Sequence, residues 1–150
     1  MQRTDEARPR IRVAALALRD GALMLAKHRK DDRESFLLPG GGIEHGESIR
    51  DALARELREE ARVACDIGAL RYVIEVQAPL LSRHIVQFVF EAVIDGEIGS
   101  SDDPRVVACA WHRLDDLPRL PMHPDVGALL ADDLRAGRSD LRYVVARWRP

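Results

Sequence analysis

The chain is poor in cysteine, has no long apolar run and carries no excess of either charge. Cys65 and Cys109 are its only thiols, each in an apolar stretch. Two isolated cysteines do not make a disulfide framework, so they read as reduced core residues of a cytoplasmic protein. The longest clean apolar run near the start, Val13–Leu18, falls far short of the roughly eighteen residues that a membrane span needs. Met1 to Arg10 mixes arginine with Asp5 and Glu6, so no secretory leader is expected there. Basic and acidic residues number 23 and 25, a net charge of −2, which argues against nucleic-acid binding by bulk electrostatics. His84, His112 and His123 are scattered, not at metal-ligand spacing, and no serine sits in a nucleophile elbow.

What remains suffices for one domain. The 150 residues are 46% apolar and 32% charged, enough to bury a core and stay dissolved. Residues 1–10 read as a flexible arm and 11–150 as a single domain. Ile11–Leu18 predicts a strand, Asp20-Gly21 a hairpin turn, and Ala22–His28 a second strand ending in the basic group Lys27 to Lys30. Asp31–Ser35 reads as a polar loop. Gly40-Gly41-Gly42 lets the backbone approach something closely and is a poor strand or helix interior. Ser48 with Asp51 resembles a capping box and opens a helix over Ile49–Arg62. Strands are expected at Leu70–Gln77, His84–Ile94 and Val106–Arg113, and a β-branched segment at Leu141–Trp148. Val126, Leu129, Leu130 and Leu134 form a helical stripe within Pro124–Ala136, with Gly137 as its cap. This order predicts an α/β fold with helices on the faces of a mixed sheet.

The 49–62 helix carries acids where apolar residues belong. With Leu53 at zero on a wheel of about 100° per residue, Ile49 and Leu57 fall at about −40° and +40°. Glu60 falls between them at about −20°, Glu56 at about −60° and Glu59 near the edge at about −120°. Such carboxylates repel one another, and an unpaired buried one is costly. A lone Glu-x-x-Glu is more often a solvated face paired to arginines, here Arg50, Arg55 or Arg58. The other outcome is a hard divalent cation such as Mg²⁺ or Mn²⁺ among the acids.

From Gly41 the chain reads glycine, five residues, Glu47, seven residues, then Arg55-Glu56-Leu57-Arg58-Glu59-Glu60 and, further on, Val63. This resembles the Nudix signature, G-x5-E-x7-R-E-U-x-E-E-x-G-U, where U is a bulky aliphatic residue. Arg62 departs from it, standing where the family has the glycine that ends the helix in a left-handed conformation. Arginine there costs about 1 kcal/mol, or the helix ends differently.

The resemblance implies an α/β/α sandwich around a mixed β-sheet and a metal-dependent hydrolase of pyrophosphate bonds in nucleoside diphosphate derivatives. It implies a small nucleotide as partner and a homodimer as a common assembly, and the short apolar runs imply no membrane partner. Glu56, Glu59 and Glu60 correspond to the family's metal-binding glutamates, and the Gly40 carbonyl to a backbone ligand. Arg55 and Glu47 match the pair that orients the catalytic helix. Glu56 or Glu59 is the candidate base, and a carboxylate from a later loop, Asp102 or Asp103 ahead of Glu97, is the alternative for that role. Lys27, Arg29, Gly41 and Asp103 are the candidates to meet substrate, the two cations at its phosphates. Pro79 resembles a mark of the ADP-ribose-cleaving branch, and nucleoside triphosphates stay open. The alternative is a non-catalytic Nudix module that senses a nucleotide, a reading disfavoured by the retention of every box glutamate.

Overall fold

The structure, a computed structural model, describes residues 8–78 and 83–148. Pro79 and most of the N-terminal arm lie outside the described residues. Nine strands, two α-helices and a 3-10 turn are arranged among those described. The strands are β1 (Arg10–Leu16), β2 (Leu18–Arg19), β3 (Ala22–Lys30), β4 (Arg33–Leu37), β5 (Gly40–Gly42), β6 (Ala64–Ala78), β7 (Arg83–Asp95), β8 (Val106–Arg113) and β9 (Arg142–Ala146). Helix α1 spans Ile49–Ala61 and α2 spans Gly127–Arg135. The 3-10 turn is Leu114–Arg119.

A five-stranded mixed sheet runs β5-β1-β7-β6-β9, with β1 parallel to β7 and β9 parallel to β6. A second, antiparallel sheet joins β2, β3, β4 and β8. Alternation along two strands explains how both sheets are buried on two sides. In β1, Val13 and Ala15 face the core under α1, while Ala14 and Leu16 face the core under α2. In β3, Met24 and Ala26 go with the first core, and Leu23 and Leu25 with the second. The sandwich expected from the sequence is therefore present, with an antiparallel sheet added to the mixed one.

Three local expectations are corrected. The run Ile11–Leu18 is not one strand: Ala17 interrupts it, its carbonyl accepting from Met24 N at 3.0 Å, and the chain passes from one sheet into the other. Asp31–Ser35 is not a loop. Asp31 and Asp32 adopt left-handed φ values of 49° and 61°, tightening the turn so that β4 pairs back on β3. The glycine run is a short strand, because β1 approaches so closely that a Cβ on Gly40 would lie 2.0 Å from the Val13 carbonyl oxygen. The Asp20-Gly21 hairpin is as expected, both residues at positive φ.

Candidate active site

Helix α1 is placed by its ends and its buried face. Ser48 Oγ accepts from Asp51 N at 3.1 Å at the start. At the finish Arg62 takes the left-handed cap (φ 51°, ψ 41°) and donates its backbone N–H to Arg58 O at 3.0 Å. The helix thus ends as in the family despite the missing glycine. Ala52, Leu53, Leu57 and Ala61 are sealed in the core and drag Glu56 and Glu60 inward with them.

Arg55 organises the acids. Its Nε and Nη2 donate to the two Glu47 oxygens at 2.8 and 3.0 Å, a bidentate pair, and Nη2 also reaches Gly42 O at 3.1 Å. Its Nη1 donates to Glu56 Oε1 at 2.9 Å and lies 3.4 Å from Glu59 Oε1. These bonds hold the Glu47 carboxyl down at about 2 and push the Arg55 guanidinium above its ordinary value.

Glu60 is 2% exposed and accepts from Gly40 N at 3.2 Å. Burial pushes its carboxyl up to about 8, against the pull of Arg12 and of that amide. Glu56 lies against Gly41, where an added Cβ would fall 2.4 Å from its carboxyl carbon. Glu59 stays at the rim, with its side chain 47% exposed. Three hard carboxylates on one helical face, two of them pressed to a glycine strand, are the donor chemistry of a divalent oxygen-binding cation. Among the described residues, no three His, Cys, Asp or Glu side chains converge on one metal position. Arg55 bridges Glu56 and Glu59, and Arg12 Nη2 donates to the Gly40 carbonyl at 3.0 Å.

Gly40–Gly42 also line a cavity of about 220 Å³. Arg10, Arg12, Arg83 and Arg105 line it, with Glu60 as the carboxylate in its wall. Arg12 is fixed at the floor, donating also to Gln87 Oε1 at 3.0 Å. Arg105 is chelated by Asp103, Nε to Oδ1 at 3.1 Å and Nη2 to Oδ2 at 2.8 Å. The Trp148 ring forms a ledge, with the Arg83 guanidinium 4.6 Å from its centre and the His123 ring 4.7 Å away. His28 Nε2 and His123 Nδ1 are buried there without a hydrogen-bond partner. Burial lowers both imidazoles, so both rings favour the neutral form and keep lone pairs to offer.

The structure brings Glu47, Arg55, Glu56, Glu59, Glu60, Gly40 and Gly41 together. Asp103 serves the cavity through Arg105, whereas Asp102 is bound to Arg62 and Glu97 is exposed beyond β7. Lys27 and Arg29 are not brought to the cavity. Both pair with Glu34, at 3.1 and 2.7 Å, while the residue between them, His28, lines it. Nothing local in the sequence marks Arg10, His28, Arg83, Arg105, His123 or Trp148 for the cavity; Arg12, a charge inside an apolar strand, is the exception.

Fold and site together define a Nudix chain, and the NUDIX domain family matches residues 8–132. The chain belongs to that family, the Nudix hydrolases. It is 33% identical over 115 residues to the NAD-capped RNA hydrolase NudC of Klebsiella pneumoniae, an alignment that covers 77% of this chain and 43% of that protein. The chain thus spans less than half the length of this relative. A MutT Nudix hydrolase of Burkholderia pseudomallei superposes with a TM-score of 0.71 at 30% identity, over 83% of this chain and 97% of that one. A Nudix hydrolase of Nitrosomonas europaea gives 0.77 at 22% identity, over 91% and 93%.

Proposed function

We propose that the chain hydrolyses the pyrophosphate bridge of a nucleoside diphosphate derivative in the cytoplasm, with Mg²⁺ or Mn²⁺ held by Glu56, Glu59 and Glu60. One observation carries this reading: Glu60 of the α1 carboxylate ridge and the glycine strand against which Glu56 packs line the same cavity as four arginines. Held by these carboxylates, such an ion would neutralise phosphate charge and lower the pKa of a water. The protein's own residues do the rest. Arg10, Arg12, Arg83 and Arg105 hold the anionic chain. The Trp148 and His123 rings offer a face to a planar group, and the free nitrogens of His28 and His123 accept from hydroxyls. Arg55, tied to Glu47, fixes the rotamers of Glu56 and Glu59, which places one of them to take a proton from the attacking water.

The relative named as acting on NAD-capped RNA supports, as the substrate class, an adenosine diphosphate joined through its pyrophosphate to a second ribosyl group, as in NAD(H) or ADP-ribose. The test is a panel of NADH, ADP-ribose, nucleoside triphosphates and dinucleoside polyphosphates with Mg²⁺ or Mn²⁺. Glu59→Gln and Glu60→Gln should each cut turnover at least about a hundredfold with the fold intact. Full turnover in both variants overturns the metal assignment. Nucleotide binding without hydrolysis of any substrate would favour the sensor, a reading consistent with the capture of Glu56 and Glu59 by Arg55.

A further inference from the structure

The position at which the chain departs from its family's signature has a second use. The Arg62 side chain leaves the end of α1 for the loop between β7 and β8. There Nε donates to Ser100 O at 3.1 Å and Nη2 meets Asp102 Oδ1 at 2.5 Å. Two backbone bonds run alongside, Gly99 N to Ala61 O at 2.6 Å and Asp102 N to Glu59 O at 2.7 Å. Gly99 lies flat under the arginine, since a Cβ on it would stand 3.0 Å from Arg62 Cβ. The loop is therefore laid onto the end of the helix that carries Glu56, Glu59 and Glu60. The next residue, Asp103, is the one that grips Arg105 from both the backbone and the guanidinium. Arg105 in turn forms part of the cavity wall.

We infer that Arg62 is a positioning residue: by mooring residues 99–103 to the end of α1, it fixes where Arg105 stands and so sets the affinity of the cavity for an anionic ligand it never touches. An exposed ion pair contributes little by itself. What matters is that two side-chain bonds and two backbone bonds converge on one turn of chain and hold its geometry. The affinity half of the inference rests on the cavity being the substrate site; the mooring half does not.

Arg62→Gly separates capping from mooring, because glycine takes the left-handed cap at least as well and has no side chain to reach the loop. The variant should melt no lower than the parent. Amide exchange at Asp102 should accelerate by about tenfold or more, as the loop opens locally. Affinity for ADP, titrated in EDTA, should weaken by about three- to tenfold, and KM on NADH should rise alike with kcat within about twofold. Asp102→Asn should move every quantity in the same direction, and Arg62→Lys, able to replace only one bond, should fall between. Unchanged exchange in Arg62→Gly overturns the mooring. Faster exchange with unchanged ADP affinity overturns the positioning of Arg105. If the parent chain itself binds no ADP, the substrate reading of the cavity fails and the affinity half with it, while the exchange result decides the mooring.

Discussion

Arg12 and Glu60 set the character of the site at the scale of single residues. Glu60 is buried by its helix and Arg12 half-buried by its strand, and each tempers the other's desolvation. Arg12→Met would remove that tempering and leave Gln87 Oε1 and the Gly40 carbonyl without their donor. The expected loss is about 2–4 kcal/mol, seen as a lower urea midpoint at unchanged slope. An unaltered midpoint would mean that water already serves these groups. A second buried polar contact lies away from the site. Tyr72 OH donates to Asp133 Oδ2 at 2.8 Å, and Arg142 Nη1 donates to the same carboxylate at 2.7 Å. Burial first, and then the bond to Asp133, push the Tyr72 phenol up to about 12. The folded pKa thus exceeds the unfolded one, near 10, so this contribution is complete below about pH 10 and is lost as pH rises toward 12. Tyr72→Phe should lower stability by about 1–2 kcal/mol at neutral pH and flatten the alkaline limb of a stability–pH curve.

Among the elements, β5 shows why the glycines are not interchangeable. At Gly40 the obstruction is backbone, the Val13 carbonyl oxygen at 2.0 Å. At Gly41 it is the tip of a side chain, the Glu56 carboxyl at 2.4 Å. Gly40→Ala should therefore cost about 3 kcal/mol or more by breaking the pairing of β5 with β1. Gly41→Ala should melt close to the parent yet lose turnover by at least about tenfold, because Glu56 must swing aside. Equal melting temperatures for the two variants would refute the distinction. Helix α1 was legible in the sequence because a 3.6-residue period and a cap both mark it. The division of Ile11–Leu18 between two sheets was not, since an uninterrupted apolar run carries no mark of where a strand changes partner. The strand at Arg33–Leu37 was hidden by polar residues whose pairing depends on two aspartates at positive φ.

For the whole molecule, the acids and the basic cavity differ in how far a sequence can reveal them. Glu56, Glu59 and Glu60 share one helix, so their proximity follows from spacing. Arg10, Arg12, Arg83 and Arg105 come from β1, β7 and the loop before β8, and meet through the parallel pairing of β1 with β7 and the placing of that loop. A balanced net charge of −2 concealed this local concentration. The acids also have partners within the chain, with Arg55 on Glu47, Glu56 and Glu59 and Gly40 N on Glu60. EDTA should accordingly abolish hydrolysis, reversibly with Mg²⁺, while leaving the far-ultraviolet circular dichroism spectrum as it was. Unfolding on chelation would mean that the ion, not arginine, holds the acids in place.

Gly42 closes the glycine wall, and unlike its two neighbours it has nothing within 4 Å of where a Cβ would stand. It is a doorpost with vacant air beside it. Side chains of graded size grafted there can narrow or tilt the entrance without disturbing masonry on either side, so one codon offers a way to retune which molecules the chamber admits.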